Sequence, residues 1–386
     1  MKTEYLIVGT GIAGLQAAKE IRKKDETGKI LMVSMEHSLP YYRTKLTEAI
    51  ATGESKEELL VEKEDFYQEK KIELLLEEKV VKIVPESKKI ALESGKEIEY
   101  EKMLLDLGAS PFIPPFEGGM KKNMFAIRTM EDLESLRETL PEVKTCLVVG
   151  GGLLGLEAAY SLLQKGLTVY VGEFADALLP RQLDKESSLK LEEDLKKEGL
   201  LVHTAGTLKE VVGDEKVEKV ILTDGTSFDC QLVVFSVGVR SNLEPAKEVL
   251  ETDRGIKGNR SLESSIEDIW VAGDCAEIEG ATMGLWTAAM DMGRVAGRNM
   301  TGGEETYDLP SLFTNLKIGS ISIFSIGSHD GEEWKQGEGD EFAKLFFKED
   351  TIIGGILYGN IKKMGKLRKL LANKASKAES VEAFSA

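Results

Sequence analysis

Short apolar runs along the chain alternate with segments of helical composition, and this alternation predicts two strand–helix–strand units. The first unit has a strand at residues 5–8, a helix over 12–24 and a strand at 29–34. The same pattern recurs over residues 145–171. Parallel strands connected through helices form the open sheets of α/β proteins. The sequence therefore predicts an α/β fold with two Rossmann-like domains.

A glycine-rich turn follows the first strand of each unit. Its glycines are Gly9, Gly11 and Gly14 in the first unit and Gly150, Gly152 and Gly155 in the second. The first glycine permits a tight turn, the second lets a diphosphate approach the backbone, and the third lets the helix pack on the strand. The diphosphate then lies at the helix N-terminus, beside Ala13 or Leu154. Two such turns predict two bound dinucleotides.

An acidic residue closes the second strand of each unit. Glu36 and Glu173 each lie about 20 residues beyond the last glycine, where a carboxylate accepts hydrogen bonds from ribose hydroxyls. Because a carboxylate repels a 2′-phosphate, we expect the second site to prefer NADH to NADPH.

The rest of the first half repeats in the second half. Residues 72–105 alternate apolar and polar side chains between turns, which predicts antiparallel strands added to the first sheet. A similar hairpin pattern covers residues 216–230, and a glycine-ended strand follows each copy. Internal duplication explains both nucleotide sites.

The predicted elements divide the chain into three domains. We expect a discontinuous FAD-binding domain of residues 1–108 and 236–304, and an NAD(H)-binding domain of residues 109–235. Residues 305–386 are predicted to form a small α+β domain with strands near 318–324, 342–347 and 352–357, followed by a basic helix.

Composition removes several classes of function. The 386 residues are 42% hydrophobic, and 67 acidic against 50 basic side chains give a net charge of −17, which disfavours nucleic-acid binding. No apolar run is long enough to span a membrane and no leader opens the chain, so we expect a cytoplasmic protein. The histidines lack metal-ligand spacing, and no metal site is predicted.

The cysteines also lack a functional pattern. Cys146, Cys230 and Cys275 are far apart, with no Cys-x-x-Cys pair. Cys146 and Cys230 flank apolar runs and are predicted to be inert, whereas the role of Cys275 stays open.

The segment Ile269-Trp-Val-Ala-Gly-Asp-Cys-Ala-Glu277 resembles the second flavin motif of the pyridine nucleotide–disulfide oxidoreductases, which carry two dinucleotides. The resemblance covers about residues 4–330. It implies a glutathione-reductase-like fold that binds FAD on the first glycine turn and NADH on the second. Asp274, after Gly273, would hold the ribityl chain of FAD.

The chain lacks the active-site cysteines of the disulfide reductases and peroxidases. The segments 40–48, 179–184 and 284–286 instead resemble the branch of NADH:rubredoxin oxidoreductases and nitrite-reductase flavin modules. That branch implies hydride transfer from NADH to flavin N5, then single-electron transfer to a small redox protein, with rubredoxin first among the acceptors. The cysteines that a full nitrite reductase needs for its iron–sulfur and siroheme domains are absent.

The resemblance also implies roles for individual residues. Lys45 or Arg43 would lie along the flavin edge, and Glu157 would pair with a cation and orient the nicotinamide, so that Lys45 and Glu157 are the catalytic candidates. Further cofactor contacts would come from Val80, Gly108, Trp286 and Gly238.

Two positions depart from the family pattern. Asp106 and Leu107 precede Gly108 where relatives have Ala-Thr, which leaves the role of Asp106 open. Glu48 stands where some ferredoxin-reductase relatives have a lysine, so Lys45 would have to supply that charge.

A basic segment and the choice of acceptor leave alternatives open. Residues 361–371 carry five basic side chains in an acidic chain, and they would either steer an acidic carrier or simply face solvent from a packed helix. An NADH oxidase, a flavin subunit serving ferredoxin or a nitrite reductase partner, and a flavin- and NADH-dependent redox sensor are the other functions considered. The sequence leaves the oligomeric state open.

Overall fold

The computed structural model describes residues 1–385, and its first domain is built on a mixed sheet. Its first six strands, β1 to β6, are Lys2–Val8, Ile30–Val33, Ile72–Leu75, Val80–Val84, Lys89–Leu92 and Glu97–Leu105. They lie in the order β3-β2-β1-β6-β5-β4. β1, β2, β3 and β6 run parallel, whereas β4 and β5 form the predicted antiparallel addition.

Helix α1, Ile12–Lys24, has the predicted bounds and connects β1 to β2. The charged segment that follows begins with a 3-10 helix, Arg43–Lys45. It continues as three short helices, α2 (Leu46–Thr52), α3 (Lys56–Leu59) and α4 (Glu64–Glu69). The apolar residues of β1, β2 and α1 pack together in one hydrophobic core. Almost all of them are buried.

The second domain repeats the arrangement. Its strands, β7 to β15, are Ala109–Pro111, Met124–Phe125, Thr145–Val149, Thr168–Gly172, Leu201–His203, Leu208–Val212, Lys219–Leu222, Ser227–Asp229 and Leu232–Phe235, and β16, Val239–Ser241, follows this domain. A parallel sheet has the order β11-β10-β9-β15-β8, and β12-β13-β14 form a separate antiparallel sheet. Its helices are α5 (Met130–Thr139), α6 (Leu153–Gln164) and α7 (Lys185–Glu198).

A two-stranded ribbon connects these domains. β7 and β16 pair in antiparallel fashion where the chain leaves and re-enters the first domain. The ribbon stands beside residues 108 and 236, where the sequence places the domain boundaries, and we propose the same division for the folded chain.

The chain then completes the first domain. Strands β17 to β19 are Ile256–Gly258, Ile269–Val271 and Ala276–Ile278, and β18 pairs with β6 as the seventh strand of the first sheet. Helix α8, Trp286–Met300, packs on α1. Gly293 and Gly297 permit this close packing, because a side chain at either position would overlap the backbone of α1.

The third domain is a five-stranded antiparallel sheet where the sequence predicted three strands. Strands β20 to β24 are Phe313–Ile318, Ile321–Gly327, Glu332–Glu338, Glu341–Lys348 and Thr351–Tyr358, in the order β20-β21-β24-β23-β22. Helices α9 (Met364–Ala372) and α10 (Lys377–Ser385) follow. One face of the sheet shares a hydrophobic core with the second domain, to which it contributes Leu316, Phe342 and Tyr358.

Within residues 1–385, none of the helices combines the length and the apolar character needed to cross a membrane.

Candidate functional site

The first glycine turn leaves the N-terminus of α1 open. Gly9 has a φ of +119°, and a Cβ there would overlap the carbonyl oxygen of Asp106. Helix α1 begins after Gly11, which provides no side-chain cap, and the amide of Gly14 in its first turn donates to Asp106. The amides of Ile12 and Ala13 remain available to an anion, and the helix dipole favours one. This geometry fits a diphosphate.

The second glycine turn has the same construction. Gly150 has a φ of +113°, and a Cβ there would overlap the carbonyl oxygen of Ser236. Helix α6 begins after Gly152 without a side-chain cap, and open space surrounds the position that a Cβ of Gly152 would take. Leu154 in the first turn of the helix is exposed. A second diphosphate fits here.

The acidic residue of the first unit holds the loop that follows it. One carboxylate oxygen of Glu36 accepts a hydrogen bond from Tyr41 Oη at 2.6 Å, and the other accepts one from Arg43 Nη2 at 2.8 Å. Arg43 also donates to the carbonyl oxygen of Arg128 in the second domain. Glu36 thus fixes Arg43 between the two domains.

Glu173 is held beside the second glycine turn. Its Oε2 accepts from the amide of Gly151 at 2.6 Å, and its Oε1 accepts from the amide of Ala175 at 2.7 Å. Each carboxylate oxygen retains a further lone pair, so the group can still accept a hydrogen bond from a ribose hydroxyl.

Asp274 forms an ion pair that the sequence did not indicate. It follows Gly273 in a 3-10 helix, and its Oδ2 accepts from Arg128 Nη2 at 2.6 Å. Arg128 also donates through Nε to the carbonyl oxygen of Ala109 at 3.0 Å. The sequence contains only an indirect signal for the position of Arg128. Thr129 and Asp132 form a capping box at the start of α5, and Arg128 directly precedes this box.

Lys45 and Trp286, both predicted cofactor residues, meet at Tyr42. The Lys45 ammonium lies 5.4 Å from the centre of the Tyr42 ring, and the centres of the Tyr42 and Trp286 rings are 5.8 Å apart. These three side chains bring the 3-10 helix and the start of α8 together in the first domain. Sequence reasoning had not selected Tyr42 within its Pro-Tyr-Tyr-Arg segment.

Glu157 does not have the predicted cation partner. Its Oε2 accepts from Thr47 Oγ1 at 3.3 Å, and within residues 1–385 no lysine or arginine pairs with it. Burial raises the pKa of Glu157, the hydrogen bond from Thr47 opposes this shift, and the charge of Glu48 adds to it. The Lys45 ammonium lies over Tyr42 in this structure, and the pairing of Glu157 with a cation stays a prediction.

Asp106 is a nearly buried carboxyl beneath the first glycine turn. Its side chain is 7% exposed, and its Oδ2 accepts from the amide of Gly14 at 2.8 Å. Burial raises the pKa of Asp106 to about 7, and the Asp274 carboxylate also raises it, while the Gly14 amide, Arg43 and Arg128 oppose the shift.

Cys275 lies close to the same carboxyl. The amide of Leu107 donates to its Sγ at 3.2 Å, and burial raises the pKa of the thiol to about 12. A buried thiol with this pKa is not a nucleophile at neutral pH, so Cys275 joins Cys146 and Cys230 as a structural residue.

Three of the residues predicted to contact a cofactor could do so only through their backbone atoms. The side chain of Val80 is buried in the first-domain core. Gly108 and Gly238 flank the ribbon between the domains: the carbonyl of Gly108 accepts from the amide of Asn242, and that of Gly238 accepts from the amide of Phe112.

A cluster of carboxylates elsewhere surrounds a lysine. Oxygens of Asp184, Glu186 and Glu333 lie within 4.8 Å of one another. The ammonium of Lys344, which is fully buried, lies 2.7, 2.6 and 3.2 Å from them, respectively. Because Lys344 pairs with all three carboxylates and Lys335 also pairs with Glu186, we assign the cluster as an ion-pair network that joins the third domain to the second.

The basic segment contacts helix α10. Lys363 donates to the carbonyl oxygen of Phe384, and Lys366 donates to that of Ala383, both at 2.7 Å. The Arg368 guanidinium lies 4.9 Å from the centre of the Phe313 ring. Leu367 of α9 is buried, so the segment forms a packed helix, but Lys363 and Lys366 donate to carbonyl oxygens of α10 and do not simply face solvent.

Comparison with known proteins identifies matches along most of the chain. Residues 3–293 match the family model described as pyridine nucleotide-disulphide oxidoreductase, and residues 313–375 match that of the rubredoxin NAD+ reductase C-terminal domain.

The chain is similar to relatives of two different lengths. A nitrite reductase [NAD(P)H] of Bacillus subtilis is 31% identical over 98% of this chain, which spans only 48% of that relative. An NADH-rubredoxin oxidoreductase of Clostridium acetobutylicum is 30% identical over 97% of this chain and 96% of the relative. A crystal structure of a ferredoxin reductase from Rhodopseudomonas palustris superposes with a TM-score of 0.88 at 29% identity, covering 97% of this chain and 95% of that one.

Proposed function

This chain belongs to the pyridine nucleotide-disulphide oxidoreductase family, and from that premise we propose that it transfers electrons from NADH through FAD to rubredoxin. It is an oxidoreductase that uses FAD and NADH, of the kind that serves small redox proteins. The flavin supplies the ability to accept hydride and release electrons singly. The identity of the acceptor is the part that needs testing.

The observation that carries the proposal is the pair of open glycine turns on neighbouring domains. We assign FAD to the turn before α1 and NADH to the turn before α6. Thr47 of α2 contacts Glu157 of α6, so the two nucleotide domains meet directly. This contact joins the two domains to which we assign the ligands.

Side chains of the chain would then bind, orient and shield the reactants. Arg43 and Arg128 supply positive charge beside the first glycine turn, and Asp274 would accept hydrogen bonds from the hydroxyls of the ribityl chain. Tyr42 and Trp286 would exclude water on one side of the flavin. Glu36 and Glu173 would accept hydrogen bonds from ribose hydroxyls of FAD and NADH, respectively.

Lys45 and Glu157 remain the catalytic proposals. Lys45 is long, and within residues 1–385 its ammonium forms no ion pair and lies over the ring of Tyr42, so it can turn toward the flavin edge or toward Glu157 when ligands bind. Glu157 would position the nicotinamide from the helix that follows the NADH turn. Because the pKa of Glu157 is raised, a larger fraction of its carboxyl is protonated at a given pH than in an exposed glutamate.

Rubredoxin is proposed as the acceptor for two reasons. One of the relatives covered almost end to end is an NADH-rubredoxin oxidoreductase, and the third domain matches the C-terminal family model named for rubredoxin reductase. A second candidate is service to a nitrite-reducing partner, which the Bacillus subtilis relative favours.

The test separates the two half-reactions without oxygen. NADH is added to the FAD-loaded protein and the flavin absorbance is followed, and oxidised rubredoxin is then added and its colour is timed. We expect rapid bleaching in the first step and rapid loss of rubredoxin colour in the second. Bleaching with rubredoxin left oxidised would reject this acceptor, whereas absence of bleaching would reject the reductase and favour a redox sensor.

A separate experiment tests whether the basic segment, residues 361–371, serves as a docking surface for rubredoxin. Lys362 and Lys369 form no ion pair within residues 1–385, whereas Lys363 and Lys366 hold α10. Reversal of charge at Lys362 and Lys369 should slow rubredoxin reduction at low salt and leave reduction of a one-electron dye unchanged. Equal rubredoxin rates in variant and parent would assign the segment to packing alone.

A further inference from the structure

The carboxyl of Asp106 lies inside the ring of glycines that would carry the FAD diphosphate. A Cβ at Gly11 would lie 2.7 Å from Asp106 Oδ2, and a Cβ at Gly273 would lie 2.6 Å from Oδ1. The side chain therefore fills the space between the turn before α1 and the segment that contains Asp274. A diphosphate at the N-terminus of α1 would be its direct neighbour.

Only one of the two carboxyl oxygens has a protein partner. The amide of Gly14 donates to Oδ2 at 2.8 Å, and within residues 1–385 no donor reaches Oδ1. Oδ1 is not fully shielded from solvent in this 7% exposed residue, so a ligand at the turn can replace water as its hydrogen-bond partner.

The charges around Asp106 make its protonation state important. Arg43 and Arg128 face it as cations, Asp274 faces it as an anion, and the neutral thiol of Cys275 completes the surroundings. Arg128 is already paired with Asp274, and Arg43 with Glu36. An ionised Asp106 beside a doubly charged diphosphate would therefore meet a like charge in a poorly hydrated site.

We propose that Asp106 binds FAD as a neutral carboxylic acid, with the proton on Oδ1 donated to a diphosphate oxygen, so that FAD binding above neutral pH takes up one proton. The inference rests on the assignment of FAD to the first glycine turn. It gives a cofactor-binding role to a residue at which this chain departs from the usual Ala-Thr-Gly pattern.

The direction of the pH effect follows from linkage. The pKa of Asp106 is about 7 because the carboxyl is buried, and the charge of a neighbouring diphosphate raises it further. Below about pH 7 the carboxyl is already protonated and FAD affinity is constant. Above about pH 7 the free protein must first regain a proton, so affinity falls about tenfold per pH unit until the pKa of the complex is reached.

The experiment follows FAD release from the loaded full-length protein. Flavin fluorescence after dilution gives the dissociation constant between about pH 6 and about pH 8.5. The wild-type constant should be flat below about pH 7 and should rise about tenfold per unit above it. Asp106→Asn retains a donor and an acceptor but cannot ionise, so its constant should be independent of pH.

Asp106→Ala provides the second variant, because alanine is the residue that relatives usually have. It should also be independent of pH, and at about pH 6 it should bind FAD about fivefold to tenfold more weakly than the wild type, since it lacks the donor. Calorimetry in two buffers of different ionisation enthalpy should detect proton uptake at about pH 8 only in the wild type.

Two failures can be distinguished. A wild-type constant without pH dependence, or a parallel dependence in Asp106→Asn, would overturn the role of Asp106. The placement of FAD is tested separately with Gly11→Val and Gly152→Val, of which only the first should abolish FAD binding. The reverse result would overturn the placement and this inference together.

Discussion

Replacing Lys344 with methionine should destabilise the contact between the second and third domains. The ammonium of Lys344 is fully buried and has three carboxylate partners, Asp184, Glu186 and Glu333. Methionine keeps most of the side-chain volume and avoids the cost of burying a charge. The substitution therefore measures the stability that is lost when the three carboxylates no longer pair with the lysine ammonium.

The expected magnitude follows from the exposure of each partner. The Glu186 and Glu333 side chains are 58% and 38% exposed, so water can replace the lysine and each pair contributes about 0–1 kcal/mol. The Asp184 side chain is 18% exposed, and loss of a charged hydrogen bond there costs about 1.5–3 kcal/mol. Recovered desolvation of the lysine offsets part of this sum. We expect Lys344→Met to lower the free energy of unfolding by about 2 kcal/mol at neutral pH.

The loss should also depend on pH. Burial would raise the pKa of Asp184, but hydrogen bonds, the first from Lys344, lower it below its ordinary value. A carboxyl with a lowered folded-state pKa stabilises the protein above its unfolded pKa of about 4, and the contribution is lost as the pH falls through the folded value. The difference between variant and wild type should therefore shrink below about pH 4.

Urea unfolding followed by tryptophan fluorescence measures this difference. Lys216→Met is the matched control, because Lys216 pairs with Glu142 at 3.0 Å while both side chains are more than half exposed. The control should change stability by less than about 0.5 kcal/mol. If Lys344→Met unfolds at the same urea concentration as the control, the network does not stabilise the fold. A deficit that stays constant to about pH 2.5 would assign the loss to packing.

Three further predictions concern the cofactor sites. Glu173→Ala should lower the preference for NADH over NADPH by about tenfold or more, measured as the ratio of kcat/KM values, because the charge that repels a 2′-phosphate is gone; an unchanged ratio would remove the argument. Glu157→Gln should remove an ionisation above the ordinary glutamate range from the pH profile of flavin reduction by NADH, and an identical profile would assign that ionisation to another group. Arg128→Met should weaken FAD binding about tenfold or more in fluorescence titrations, because Asp274 loses its cation, whereas Arg294→Met, at an exposed pair with Asp291, should not.

The nucleotide-binding units could be predicted because their signals are local. The glycine turn, the periodicity of α1 and the apolar run of β2 lie within one short segment, and the predicted bounds of α1, 12–24, are those of the structure. By contrast, β22 was missed because nearly all of its residues are exposed. An edge strand without a buried face does not show the alternation that identifies strands.

The details of the site depend on contacts between distant segments. Asp106 is 92 residues from Gly14, and only the fold shows that its carboxyl lies under the glycine turn. The position of the Lys45 ammonium over the Tyr42 ring likewise has no signal in the sequence. Lys344 lies between Phe342 and Phe346 on the same buried face of β23. The period-two pattern of the strand therefore places a charged residue on the core side, but the sequence does not identify the carboxylates that pair with it.

The hydrophobic core shared by the second and third domains determines how this protein can be engineered. Leu316, Phe342 and Tyr358 complete a core whose other half belongs to the NADH-binding domain, and Tyr358 Oη also donates to Asp194 of α7. Cutting the chain before β20 would expose apolar surface on both pieces. Chimaeras designed to change the electron acceptor should therefore exchange these two domains as one block, and should place the junction in the β7–β16 ribbon.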